Sequence, residues 1–359
     1  QHRFTHVPSN LEKFPADPRY MELVRKIRSL GEREEAEIAR RFPKLLRRVG
    51  GYNIDTISSK GHNMAQLLVG SEGTLAYFRK LELITYPIPS HNVLGICHFS
   101  SFRDAMDITQ EIVKLDPSAV ELIDSTMIAL AREINAYRPT IERFVNGHPE
   151  ALLMVEFSGE DENAQLIKLD ELEQLLDDHG FPNSILKVAD PNFQREITEV
   201  RKAGLNIMMS MKGDGKPVSF IEDCAVPLKH LGAYTERLTE VFSKHGVQGT
   251  WYAHASVGCL HVRPVLNMKA SMDVKKMRDI AEETFAMVRE YKGSHSGEHG
   301  DGIVRSEFHT PMFGERLVRT FEDVKALFDP EGLFNPGKIV QAPRMDDRTL
   351  FRYKPNYKA

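Results

Sequence analysis

Residues 231–261 read LGAYTERLTEVFSKHGVQGTWYAHASVGCLH. From Leu231 to His245 the apolar side chains Tyr234, Leu238, Val241 and Phe242 recur at steps of three or four. That spacing predicts a helix with one inward stripe, stopped at Gly246. Thr250 to His254 then has the character of a short strand. The same order recurs upstream. Val93 to Phe99 reads as a strand and Phe102 to Leu115 as a helix. Leu152 to Phe157 reads as a strand, followed by a helix from Asn163 to His179 with Ile167, Leu172, Leu175 and Leu176 inward and Gly180 as its C′ residue. Ser219 to Leu228 reads as a further strand. Val274 to Tyr291 reads as a last long helix, with Val274, Met277, Ile280, Phe285 and Val288 on one stripe and its end at Gly293. Repeated strand–helix pairs on either side of the middle predict an α+β fold, an antiparallel sheet covered on one face by helices, in a duplicated ferredoxin-like plan.

The first ninety residues differ in character. Tyr20 to Arg40 is crowded with charges and carries intermittent apolar residues at helical spacing, which predicts a solvated helix. Gly70-Ser71-Glu72-Gly73-Thr74 forms a glycine-rich turn between two apolar stretches. Pro87-Ile88-Pro89 removes two backbone donors and predicts an extended linker, so a domain boundary is placed at residue 87.

Composition narrows the function classes. The 359 residues include 47 Lys and Arg against 51 Asp and Glu, a formal net charge of −4, so no overall positive field gathers nucleic acid. Only three cysteines occur, Cys97, Cys224 and Cys259, with no CxxC pair, which fits a reducing compartment and excludes a structural cysteine cage. No run approaches the roughly 20 apolar residues of a membrane span. The expectation is a cytoplasmic protein without a transmembrane segment, with peripheral membrane contact and assembly of identical copies left open. The chain opens on Gln1-His2-Arg3 without a methionine, which suggests part of a longer polypeptide.

Two clusters carry chemistry. In His254-Ala255-Ser256-Val257-Gly258-Cys259-Leu260-His261-Val262-Arg263 a spacing of seven cannot put both imidazoles on one face of an unbroken strand, but a bend at Gly258 brings them together. Gly293 to Gly302 places His295, Glu298, His299 and Asp301 among glycines directly after the last helix. Two imidazoles and a carboxylate would make a three-ligand metal site with open positions for substrate oxygens. Core histidines hydrogen-bonded on a strand, with Glu298 in a solvated loop, account for the same residues without a metal.

Four stretches together resemble the C-terminal part of the FAD-linked oxidases of the vanillyl-alcohol-oxidase superfamily, in the branch of D-2-hydroxyglutarate, D-lactate and glycolate dehydrogenases. They are Val69 to Leu75, His254 to His261, Gly297-Glu298-His299-Gly300 and Phe334-Asn335-Pro336-Gly337-Lys338, in the family's order along the chain. The resemblance implies FAD and a divalent metal, usually zinc, held by His254, His261 and Glu298. It makes His299 the base that takes the α-hydroxyl proton as hydride leaves for flavin. Arg201 resembles the arginine that pairs with the substrate carboxylate. Gly70, Ser71, Glu72, Gly73 and Thr74 resemble the flavin-contacting turn, and Tyr52, Asn53, Asn335 and Lys338 resemble further residues of the flavin side.

The implied division is residues 1–87 as the last part of a PCMH-type FAD-binding domain, 88–330 as the substrate domain and 331–359 as a segment returning to the FAD domain. The implied reaction oxidises a D-2-hydroxy acid to its 2-oxo acid, with electrons passing to a quinone, a flavoprotein or an iron–sulfur module. Two departures stand out. Ser256-Val257-Gly258-Cys259 replaces the family's Gly-Asp-Gly-Asn, and with Ile221 to Pro227 it looks more like long bacterial members fused to an iron–sulfur module. Nothing before Gly50 resembles the pyrophosphate loop, so the isolated chain is expected to bind FAD weakly or not at all, and this fragment alone to be inactive. Metal-dependent hydrolysis, with the metal acidifying a water, is the rival chemistry, and a folded interaction module without catalysis is the third reading.

Overall fold

A computed structural model describes residues 2–352 and 354. The chain forms two compact units, Gln1–Leu83 with Lys292–Phe351, and Ile84–Tyr291 with Arg352–Ala359. The sequence segmentation at 87 and 330 therefore differs from the structural one, and the tail residues 353 and 355–359 lie outside the described residues.

The first unit is built on two helices, Pro18–Arg41 and His309–Phe328. Asp17 caps the first by accepting the N–H groups of Arg19 and Tyr20, and Pro18 at the first position needs no donor. The predicted solvated helix turns out to be half core. Tyr20, Val24, Ile27 and Leu30 pack in one apolar cluster with Met312, Phe313, Leu317, Phe321 and Val324. This packing draws His309–Phe328 into the first unit, although the chain between the two helices is more than two hundred residues long. A short antiparallel ribbon, His6–Pro8 against Gly61–Asn63, belongs to the same unit.

The second unit holds an eight-stranded antiparallel sheet: β1 His91–Phe99, β2 Ala119–Asp124, β3 Ala151–Gly159, β4 Ile185–Val188, β5 Lys216–Pro217, β6 Cys224–Ala225, β7 Gly249–His254 and β8 Cys259–Leu266. Spatial order is β4-β1-β3-β2-β7-β8-β5, with β6 also paired to β8. The first four strands, with helices Phe102–Ile112 and Glu162–Asp178 after β1 and β3, stand in the order 4-1-3-2 of a ferredoxin-like unit. A second copy follows as β6, helix Leu231–Lys244, β7, β8 and helix Ser271–Glu290, again with the third strand between the first and second. Among the described residues it has no closing strand. The duplicated plan is thus present, joined through β2 and β7.

Helices cover both faces of the first half rather than one. Leu94, Ile96, Leu152 and Met154 point into a core with Met127, Ile128, Ile141, Phe144, Ile197 and Ile207 from four short helices. Gly95 faces the other way, where a Cβ would meet Leu172 at 2.9 Å from the helix Glu162–Asp178. That helix buries Gln165, Leu169, Leu172 and Leu176, while Ile167, expected inward, is 57% exposed. The register of one heptad face, not hydrophobicity alone, selects the inward residue. Gly180 and Gly246 end their helices at φ +86° and +62° as expected. The helix expected to be the last long one, Ser271–Glu290, instead turns at Lys292, φ +57°, with Gly293 beyond it, and is followed by the equally long His309–Phe328, whose apolar face is covered within the first unit. Ser219–Leu228 yields only the two strand residues Cys224 and Ala225. No helix among the described residues is long and apolar enough to cross a membrane.

Candidate metal and substrate site

His254 and His261 lie on a hairpin, not on one bent strand. β7 ends at His254, a single 3-10 turn spans Ala255–Val257, and β8 begins at Cys259. Gly258 closes the turn at φ +66°, and a Cβ there would lie 2.1 Å from the Val226 carbonyl oxygen, so the position excludes every larger residue. In the ladder Cys259 faces His254 and His261 faces Tyr252. Directly opposed residues share a face and alternate residues return to it. Tyr252, His254, Cys259, His261 and Arg263 therefore all point to one side of the sheet. The two imidazole rings stand perpendicular with centroids 4.9 Å apart, and the Tyr252 ring lies 4.9 Å from His261.

Neighbouring strands add charge to this face. Glu121 on β2 stands opposite His254. Its two carboxylate oxygens lie 2.9 and 3.0 Å from His254 Nδ1. An ionised carboxylate can only accept, so Nδ1 carries the hydrogen and Nε2 is left as the basic nitrogen. Arg201, near the end of helix Pro191–Lys202, pairs with the same carboxylate, and its Nη2 is 3.4 Å from His254 Nδ1. The structure thus brings Arg201 and His254 together, through a glutamate the sequence reading did not single out.

At the other end of the face Arg263 is 6% exposed, with its guanidinium 5.5 Å over the Tyr252 ring. Its Nε and Nη1 have no hydrogen-bond partner among the described residues. A buried guanidinium short of acceptors is costly and makes a ready anion contact. Asp223, just before β6, donates its N–H to Leu260 at 2.6 Å and receives the Cys259 thiol at 3.4 Å. Asp223, Cys259 and His261 each offer a donor atom, all within 4.8 Å of one another.

Glu298 and His299 belong to the first unit. Glu298 lies 3.3 Å from the Arg47 guanidinium and 3.7 Å from His299 Nε2. Nearby, Asp301 Oδ2 accepts from Gly51 N–H at 2.7 Å and contacts His309 Nε2 at 2.9 Å, while Oδ1 contacts His295 Nε2 at 3.2 Å. These three side chains are fully buried. Burial opposes ionisation of Asp301, but the two imidazoles outweigh it and hold the carboxyl well below its usual range.

The residues expected on the flavin side also fall in the first unit. Tyr52 is fully buried and its hydroxyl bonds Thr74 Oγ1 at 2.7 Å; burial pushes the phenol up to about 12, so it stays protonated. Asn53 donates to the Gln66 and Val69 carbonyls, Asn335 to the Glu72 carbonyl at 2.8 Å, and the Glu72 carboxylate accepts from Asp301 and Gly302 N–H. Ser71 Oγ donates to Leu68 O, and the Lys338 carbonyl accepts from Val340. Gly70, Glu72 and Gly73 all have positive φ, and nothing lies within 4 Å of where a Gly73 Cβ would stand. An open glycine backbone suits close approach of a planar cofactor.

Glu121, Asp223 and Arg263 were not legible as site residues. For Arg263 a signal existed, since it stands two positions from His261 on a strand. For Glu121 none did, because its pairing with His254 spans 133 residues.

A duplicated ferredoxin-like sheet that gathers imidazoles, carboxylates and guanidinium groups on one face defines an α+β domain with a polar cluster on that face. The chain belongs to the FAD-linked oxidases: residues 88–339 match the family described as FAD linked oxidases, C-terminal domain. It is 31% identical over 320 residues to a D-2-hydroxyglutarate dehydrogenase of Pantoea ananatis, covering 86% of this chain and 31% of that protein. It is 27% identical over 294 residues to a D-lactate dehydrogenase of Archaeoglobus fulgidus, covering 82% and 61%. The chain thus spans about a third of the length of the first of these relatives. Among solved structures it resembles a 4-ethylphenol oxidase from Gulosibacter chungangensis with a TM-score of 0.52 at 13% identity, covering 72% of this chain and 55% of that one, a likeness of fold.

Proposed function

We propose that this chain supplies the substrate side of a FAD-dependent dehydrogenase that oxidises a D-2-hydroxy acid with the help of a divalent metal held by His254, His261 and Glu298. The observation that carries the reading is the imidazole pair on one sheet face, flanked by the guanidinium groups of Arg201 and Arg263. The names of the relatives point the same way.

The residues fit a metal. Histidines that ligate metals commonly donate their second ring hydrogen to a carboxylate, as His254 does to Glu121. The Gly70–Thr74 turn, open beside Gly73, bonded to Tyr52 and Asn335 and, through the adjoining Val69, to Asn53, fits FAD, with Lys338 assigned to the same side by the family likeness. When bound, the flavin takes a hydride from the substrate's Cα and the metal polarises its hydroxyl. The protein's own part is to orient and to move a proton. Arg201 and Arg263 provide cations for the substrate's carboxylate groups, with Arg201 already balanced by Glu121 and Arg263 the more deeply buried. His299 accepts the hydroxyl proton. Electrons then leave to a quinone, a flavoprotein or an iron–sulfur centre.

The test is reduction of an artificial electron acceptor by the full-length, flavin-loaded protein that carries this chain, with D-2-hydroxyglutarate or D-lactate, run beside ester hydrolysis. Acceptor reduction specific to the D-isomer is expected; hydrolysis without acceptor reduction would replace the reading by metal-dependent hydrolysis. A second expectation concerns Glu121→Ala. Losing the carboxylate that fixes the His254 tautomer should weaken zinc binding about 10- to 100-fold, read by chelator competition. Unchanged zinc affinity would remove His254 from the ligand set.

A further inference from the structure

The face that carries His261 holds two more donors that the family likeness does not account for. Cys259 follows the hairpin turn directly, where the family has asparagine, and points to the same side as His261 two residues on. Asp223 is brought there by the edge strand: Cys224 pairs with Leu260 and Ala225 with Cys259, so the residue before β6 falls beside Leu260, to whose carbonyl its N–H is bonded. Cys259 and Asp223 are fully buried and His261 nearly so. Asp223 also adopts φ +80°, a conformation unfavourable for a non-glycine residue that persists where the surroundings impose it.

We infer that Cys259 and Asp223 offer donors to the same divalent ion as His261, so that the ion is held through a thiolate. This rests on the metal-assisted reading above. Sulfur, nitrogen and oxygen atoms within 4.8 Å of one another are close enough to share one ion at ordinary bond lengths of about 2.0–2.3 Å. The 3.4 Å separation of Cys259 Sγ and Asp223 Oδ1 matches neighbouring ligands around a small cation. It also matches a thiol donating to a carboxylate, and the two differ in one chemical respect. Metal binding releases the thiol proton to solvent and forms a metal–sulfur bond, whereas the hydrogen bond keeps the proton on sulfur.

Only Cys259 among the three cysteines can serve. Cys224 lies opposite Leu260 in the ladder and so points to the other face. Cys97, on β1, sits in an apolar core where burial pushes its thiol well above the usual range. The consequence is selectivity: a thiolate favours zinc or cobalt over magnesium or manganese, which take oxygen ligands.

Cobalt(II) titrated into the full chain is expected to give sulfur-to-cobalt charge-transfer absorption in the near ultraviolet, and zinc-edge X-ray absorption to show a sulfur neighbour at about 2.3 Å. Cys259→Ser should abolish the charge-transfer band while weaker cobalt binding persists. Cobalt bound without that band, or a band unchanged in Cys259→Ser, overturns the inference and leaves the metal reading standing. Failure of the wild-type chain to bind cobalt or zinc at all removes the metal reading and this inference with it. Should Cys259→Ser not fold, the zinc-edge spectrum of the wild-type chain decides alone.

Discussion

Alanine in place of Asp301 is expected to destabilise the first unit by about 3 kcal/mol. The carboxylate holds three groups at once: Gly51 N–H at 2.7 Å, His309 at 2.9 Å and His295 at 3.2 Å, all out of water. Removing it strands a buried N–H, which costs about 1–3 kcal/mol, and leaves two imidazoles facing a hole. They can relieve part of the electrostatic cost by staying neutral, which keeps the expected loss near the lower end for a broken buried pair.

The dependence on pH has a definite sign. The folded pKa of Asp301 is depressed, so its contribution is complete above the unfolded value of about 3.9 and is lost as pH falls toward the folded one. The gap in urea midpoint between wild type and Asp301→Ala should therefore be constant from pH 8 to about 5 and narrow only in stronger acid. A gap that closes already between pH 7 and 6 would mean that imidazole protonation, and not the carboxylate, governs the cluster. Because Asp301 anchors Gly51 next to Tyr52, and follows Glu298 and His299 by a few residues, the same exchange should loosen the segment expected to meet flavin.

The double exchange His254→Ala and His261→Ala is expected to abolish stoichiometric metal binding, read by elemental analysis of the purified chain beside wild type. The two imidazoles sit side by side on a hairpin whose ladder does not depend on them: the six pairs from Cys259–His254 to Pro264–Gly249 are backbone pairs, and the opposite face is filled by Ala253, Leu260 and Val262. Folding should survive, at the cost of the packing of His261 against Tyr252 and of the hydrogen bond from His254 to Glu121, which keeps its pairing with Arg201. Equal metal content in the two proteins would end the metal-assisted reading while leaving membership of the family untouched. Retention of metal in the double variant through the Asp223 and Cys259 donors at reduced affinity is separable, since a chelator of moderate strength would strip the variant and not the wild type.

Much of the architecture was legible because it is local. The spacing of Tyr234, Leu238 and Phe242, or of Val274, Met277, Ile280 and Phe285, shows the inward face of a helix within three turns of chain, and Gly180 and Gly246 mark ends through their own backbone conformation. The motifs around His254, His261 and Glu298 likewise mark the proposed metal site within a few residues. Where register is decided by distant partners the reading failed. Ile167 is as apolar as Leu172, but helix Glu162–Asp178 rests on Gly95 of a strand some seventy residues earlier, and that contact chose the buried stripe. The helix Pro18–Arg41 looked solvated by its charge until His309–Phe328 came to cover half of it.

The same division holds for the site. The sequence by itself determined five of the helices, though not His309–Phe328, together with the duplicated strand–helix order, the family and the closeness of His254 to His261, since each of these is written in side-chain periodicity or in a short motif. Only the tertiary structure decided that the pair stands on a hairpin, that Glu121 fixes the hydrogen of His254, and that Asp223, Cys259 and Arg263 share its face. The reason is that strand pairing joins residues across any length of chain. A ladder between β2 and β7 sets Glu121 against His254 through backbone hydrogen bonds that are nearly indifferent to side-chain identity, so no pattern along the chain records it.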